Sequence, residues 1–220
     1  WQSGFWPLWA HAPTEDPDVV LHLGDYIYEG GASASALRPH NSPEVRTLAA
    51  YRNRYGLYKG DPALQGIHAT CPWIVTWDDH EVENNYADLV AENPAEVPDF
   101  AARRAAAYQA WWEHQPVRLA PPTGPDLTIY RSFEWGRLAK FHVIDTRQYR
   151  DPQACSGSLG PTCDDRTAPG RTLLGPEQDA WLGASFAESR ATWDVLANQV
   201  VMTSMPFAGS LYNPDQWDGY

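Results

Sequence analysis

Three stretches of this 220-residue sequence set ionisable side chains directly after apolar runs. Val19-Val20-Leu21-His22-Leu23-Gly24 leads into Asp25 and, three residues on, Tyr28. Pro72-Trp73-Ile74-Val75-Thr76-Trp77 leads into four consecutive ionisable residues, Asp78-Asp79-His80-Glu81. Phe141-His142-Val143-Ile144 leads into Asp145-Thr146-Arg147. On a tight turn Asp25 and Tyr28 can face one side. A carboxylate is a hard oxygen ligand able to bridge two cations. A free phenol titrates near 10, so a phenolate at neutral pH needs a strong Lewis acid such as Fe(III). From spacing alone, a salt-bridged Asp beside two half-buried core tyrosines reads equally well. Four adjacent ionisable groups after a buried strand are costly unless something positive compensates them. They point to a metal centre, with a solvated acidic turn as the alternative. Arg147 can clamp a phosphate oxygen pair in bidentate fashion, or serve as a structural Arg paired to Asp145 or Asp151.

Strands and helices must present these groups. Residues 4–12 read as a short aromatic helix, 19–23 as a strand and 30–41 as a Gly/Ser/Ala loop. Ser42-Pro43-Glu44 has the form of a helix start, followed by Leu48, Tyr51, Tyr55 and Tyr58 at helical spacing. Residues 72–77 form a second strand and 91–98 a Pro-punctuated loop. Asp99 caps a helix to about Gln115, with Phe100, Ala107, Tyr108, Trp111 and Trp112 on one side. Residues 127–133 and 138–144 read as a hairpin around Trp135-Gly136. Gly175-Pro176-Glu177 opens a helix to about Ser189, 193–202 is a further strand, and the remainder is loop. Strands alternating with helices make this an α/β chain. Ligands in open α/β sheets gather beyond the carboxyl ends of strands, where the three polar clusters fall.

Length and composition fit one globular domain, with 43 % apolar and 20 % charged residues. A net charge of −12 opposes non-specific binding to nucleic acid. An anionic substrate would therefore need local positive charge from metal ions or a few Arg. No run approaches a membrane span, so no stable membrane insertion is expected. Cys155 and Cys163 flank a Gly/Pro-containing loop and suit a short disulfide in an exported protein, or two free thiols. Cys71 reads as a buried, inert thiol. His22 and His142 lie inside strands and read as core residues. His11, His40, His68 and His114 lack acidic neighbours at ligand spacing.

"GDYIY" followed by "DDHE" resembles the GDxxY and GNH[DE] signature of the calcineurin-like metallophosphoesterases, with Asp79 where that superfamily has Asn. The strings "VVLHLGDYIYEGG", "PWIVTWDDHEVENNYAD", "FHVIDTRQYRD" and "RTLLGPEQDAWL" are similar to PhoD-type alkaline phosphatases, in order over almost the whole chain. The resemblance implies a four-layer α/β/β/α sandwich, residues 1–220 being the central part of one larger catalytic domain. It implies Fe(III) and Ca2+ cofactors and hydrolysis of phosphate mono- or diesters, whether small molecules or phospholipids, outside the cytoplasm. By position Asp25 would bridge metals, Tyr28 would bind ferric ion, and Asp79 and Asn84 would bind at a second metal. His80 falls at the superfamily's catalytic His, and Arg147 would hold substrate. The family pattern has a metal-binding Cys segment upstream of Trp1 and His-bearing ligand segments downstream of Tyr220, so only part of the site is expected here. The competing reading is a non-catalytic calcium- or carbohydrate-binding module.

Overall fold

The first two apolar runs pair side by side. β1 (Val20–His22) and β2 (Trp73–Val75) are parallel, with Val20 opposite Trp73 and His22 opposite Val75. In-register parallel pairing brings their carboxyl ends together, so the segments starting at Leu23 and Thr76 leave the sheet as neighbours. The computed structural model describes residues 1–157 and 159–220. The chain divides into one unit of Trp1–Asn84 with Val97–Thr128 and another of Asn85–Glu96 with Ile129–Tyr220.

The first unit holds β1, β2 and four helices. α1 (Pro7–His11) is shorter than the expected 4–12 helix, because Pro7 supplies its first turn. A 3-10 turn follows over Ala12–Glu15. α2 (Leu48–Lys59) starts five residues later than a Ser42 cap suggested. Thr47 is its cap, accepting from the Ala50 N–H. The Ser42–Glu44 segment is drawn into other contacts. Ser42 Oγ accepts from Arg54, Glu44 pairs with Arg46 and Arg103, and Val45 is fully buried with its N–H on Glu29 O. α3 (Pro62–Thr70) was not expected, although Asp61-Pro62 carries its start signal: the Asp61 carboxylate caps the Ala63 and Leu64 N–H groups. α4 (Phe100–His114) starts at the predicted Asp99 cap. The core joins α2, α4 and β2. Trp77 stacks on Tyr108 at 4.0 Å and meets Trp111 edge-on at 5.0 Å, while Tyr51, Tyr55 and Tyr58 are buried.

The second unit has a three-stranded sheet in the order β3-β4-β5. β3 (Arg131–Trp135) and β4 (Ala139–Val143) form the expected hairpin, turning at Gly136 with φ 56°. β5 (Trp193–Ala197) runs parallel to β4 and ends five residues earlier than expected. Beyond it Asn198 bonds Val200 O and Gln199 bonds Ile144 O, so these amides tie a turn instead of extending a ladder. α5 (Gly175–Glu188) is fixed by Gln178, whose side chain accepts from Asp145 N–H and donates to Asp145 O at 2.7 and 2.8 Å. Ile144, Leu173, Leu174 and Val200 form the core, with Trp181 and Trp217 packed on it. Cys155 and Cys163 are disulfide-bonded, with Cα atoms 5.6 Å apart. Cys71 is a free thiol and is half-buried, not fully buried as expected, since it follows the end of α3. Both units thus combine helices with a parallel strand pair, in keeping with a mixed α/β chain.

Candidate metal centre

The site begins with a close approach of two loops. Gly24 has φ 108°, and a Cβ there would lie 2.4 Å from Asp78 N and 2.6 Å from Asp78 Cβ. Only glycine lets the β1 loop pass the β2 loop at this distance. Asp25 follows at φ 55°, in the left-handed region. The backbone turn brings Asp25 against Asp79 and His80. One ligand atom from each of the three lies within 4.8 Å of the others.

Asp79 is 5 % exposed, which removes the solvated-turn reading of this cluster. Two carboxylates this close repel in the ionised state and call for a cation. The two carboxylates are hard oxygen donors that fit a multivalent cation, with the His80 imidazole beside them. Tyr28 adds a fourth group: its hydroxyl donates to Asp25 Oδ2 at 2.8 Å. Burial first, then the charges of Asp25, Asp79 and Glu81, push the phenol far above its usual value. Protein groups alone keep it protonated, so a phenolate here requires a strongly polarising cation.

His80 is oriented by Glu29. Its Nδ1 lies 2.7 Å from Glu29 Oε2, and its ring is 4.2 Å from that of Tyr28. The contact assigns the Nδ1 proton to the Glu29 side and turns Nε2 to other work. Burial works to lower the imidazole pKa. The Glu29 hydrogen bond and the charges of Asp79, Glu29 and Asp25 prevail and raise it to about 9. Glu29 is 7 % exposed, and its other oxygen accepts the Asn84 N–H at 2.7 Å. Arg54, fully buried on α2, bonds the carbonyls of Tyr28 and Gly30 and so braces the Glu29 segment from behind.

Asp25, Asp79 and His80 therefore come together, with Tyr28 on Asp25. Asn84 joins the same network through its backbone. Arg147 belongs to the second unit and is 1 % exposed. Both its terminal nitrogens bond Asp215 at 2.7 Å, and Arg150 shares the same carboxylate. Its structural partner is thus Asp215, not the side chain of Asp151, which accepts from Thr172. Asp145 Oδ1 accepts the backbone N–H groups of Arg147 and Gln148. His142 is fully buried between Ser185 and Asp194, a core role as expected. His40 bonds Gly30 O and Tyr58, and His68 bonds Tyr26.

Glu29 and Glu81 are the residues that sequence reasoning left without a role. Glu29 hides behind Tyr28 in a Gly-rich turn, and nothing in its spacing separates it from a surface acid. Glu81 was legible only as one more charge in a cluster. It is 1 % exposed and accepts the backbone N–H groups of Asp25, Tyr26 and Asp78. Beside the centre a cavity of about 380 Å³ is walled by Trp1, Trp6, Trp9 and Tyr58, together with Asp25 and Tyr28.

The profile of PhoD-like phosphatases matches residues 1–220. Alkaline phosphatase D of Bacillus subtilis (strain 168) is 47 % identical over 229 residues, covering 100 % of this chain and 39 % of that protein. The solved structure described as "Structure of PhoD" superposes with a TM-score of 0.94 at 47 % identity, over 100 % of this chain and 44 % of that one. The chain thus spans about two fifths of the length of the relatives it matches. With "GDYIY" and "DDHE" meeting at the ends of one parallel strand pair, the chain belongs to the PhoD-like phosphatase family.

Proposed function

We propose that these residues serve metal-dependent hydrolysis of phosphate esters, as in an alkaline phosphatase or phosphodiesterase. The observation that carries this reading is the convergence of Asp25, Asp79 and His80 at the carboxyl ends of β1 and β2. Asp25 would be shared between cations, Tyr28 would serve a ferric ion, and Asp79 with Asn84 would serve a second ion, for which Ca2+ suits the oxygen donors. When bound, such cations neutralise phosphoryl oxygens and acidify a water for in-line attack. The chain's own part is to aim the donors and to move a proton. Glu29 holds His80 by Nδ1, so that Nε2 can give a proton to the leaving alkoxide or hold the phosphate. Arg147 acts as a phosphate clamp in this scheme only if its guanidinium leaves Asp215.

The resemblance to PhoD-type enzymes supports a four-layer α/β/β/α sandwich, with residues 1–220 in one catalytic domain. The match of a single family profile over that whole range is in keeping with it. The disulfide supports an extracytoplasmic location. No helix among the described residues is long and apolar enough to cross a membrane. The substrate is a phosphate ester, either a small molecule or a phospholipid head group.

The test is metal analysis of the intact protein together with turnover on nitrophenyl phosphate and bis-nitrophenyl phosphate. Asp25→Asn should lose metal and most activity together, because one carboxylate serves both ions. Full retention of metal and rate would remove Asp25 from the site. Calcium binding without turnover on either ester would favour the non-catalytic calcium- or carbohydrate-binding module.

A further inference from the structure

We infer that Glu81 is a positioning residue: its carboxylate clamps the two ligand-bearing loops to each other and sets the spacing between Asp25 and Asp79. This rests on the reading of those two residues as metal ligands. The Thr76 N–H donates to His22 O at 3.0 Å where the paired strands end, and the two loops leave from there. Beyond that point Glu81 takes over. Oε2 accepts Asp78 N–H at 2.8 Å and Asp25 N–H at 3.1 Å, and Oε1 accepts Tyr26 N–H at 2.5 Å. Two of these donors belong to the β1 loop and one to the β2 loop, so this carboxylate ties the loops together next to the sheet, as Glu29 does further along.

All three partners of Glu81 are backbone N–H donors, which its two oxygens accept with their lone pairs. Both its oxygens are committed to amides, which explains why this acid, among several, is a holder of backbone and not a ligand. The clamp works against two loads. Asp25 sits at φ 55°, a conformation that few non-glycine residues adopt without support. Asp25 and Asp79 also repel each other across the site. The loops touch backbone to backbone at Gly24, so any slip there is passed directly to Asp25.

The test uses Glu81→Gln in the intact protein. The replacement keeps the shape but turns one acceptor into an NH2 that faces amide donors. Amide exchange is read by NMR or mass spectrometry on protein stripped with chelator. Exchange of the Asp25, Tyr26 and Asp78 amides should rise roughly two- to ten-fold, the size of an ordinary net hydrogen bond. The Val20 and Thr76 amides, held by carbonyls, should not change. The dissociation constant for Ca2+, read by chelator competition, should rise roughly ten- to hundred-fold, as for other outer-shell substitutions. Unchanged exchange at the three amides, or Ca2+ affinity unchanged within experimental error, would overturn the clamp. If Glu81→Gln does not fold, the wild-type protein decides. Its three amides must be protected although they lie outside any helix or strand, and random-coil exchange there overturns the proposal. The exchange arm needs no metal, so a clamp that stands while Asp25→Asn keeps its metal would isolate the failure to the ligand reading.

Discussion

His80 and Tyr28 lie ring against ring, yet each gives its hydrogen bond to a different acid, Glu29 and Asp25. Substitutions at the two should therefore separate proton transfer from metal retention. If His80 is the acid, His80→Ala should lower turnover by roughly a hundred- to ten-thousand-fold on an alkyl ester, with metal content little changed. The loss should shrink on a nitrophenyl ester, whose leaving group needs no proton. Equal losses on both esters would make His80 a holder of phosphate or metal. Tyr28→Phe keeps the ring and deletes the oxygen. It should abolish any tyrosinate-to-iron charge-transfer band and lower iron while leaving calcium, as read by visible spectroscopy and elemental analysis. An iron-loaded variant with an unchanged spectrum would take Tyr28 off the ligand set. At this scale the sequence showed residue types and order but not partners. Asp25, Tyr28, Asp79 and His80 stood out because charge after an apolar run is conspicuous. Glu29 did not, because its role depends on a contact with His80 across 51 residues.

At the scale of elements, the close passage at Gly24 is the most constrained point. Gly24→Ala would put a methyl 2.4 Å from Asp78 N on a backbone at φ 108°. Strain of this kind costs roughly 1–3 kcal/mol, which for a chain of this size lowers Tm by roughly 2–12 °C. Metal affinity should fall as well, since the loops part. Gly30→Ala, with nothing within 4 Å of its added Cβ, should change neither. A melt indistinguishable from wild type would show that the loops can separate at no cost. The same scale explains which elements were legible. α4, α5 and the β3–β4 hairpin carry local signals, a cap, a Pro-opened turn and a Gly turn, and form where those signals lie. The start of α2 and the end of β5 were displaced by partners far away in sequence: Glu29 O takes the Val45 N–H, and Ile144 O takes the Gln199 amide. α3 was missed although Asp61-Pro62 announces it, because the run of Tyr and Gly before it drew the helix reading to α2 alone.

For the molecule as a whole, three histidines of the first unit make it sensitive to acid. Burial foremost holds His22, His40 and His68 each at about 4, below the ordinary 6.5, with His68 adding to the shift of His22 and Lys59 to that of His68. Between pH 6.5 and about 4 the unfolded chain takes up protons that the folded chain refuses. The stability these groups contribute is thus complete above pH 6.5 and drains away as pH falls toward about 4. His22→Leu should remove one share of this. The urea midpoint of the variant relative to wild type, in chelator, should be constant above pH 7 and move in the variant's favour as pH drops through that window. A difference independent of pH would show that His22 protonates equally in both states. The hydrogen bonds that join the two ligand loops span 51 to 56 residues of chain. α2, α3 and β2 all lie between Asp25 and Asp79, and closing so long a loop is slow compared with forming its helices. During synthesis the first loop emerges from the ribosome tens of residues ahead of its counterpart. A cation held by Asp25 and Asp79 together would therefore stabilise the closed loop, and its binding would be tied to the folding of everything between them.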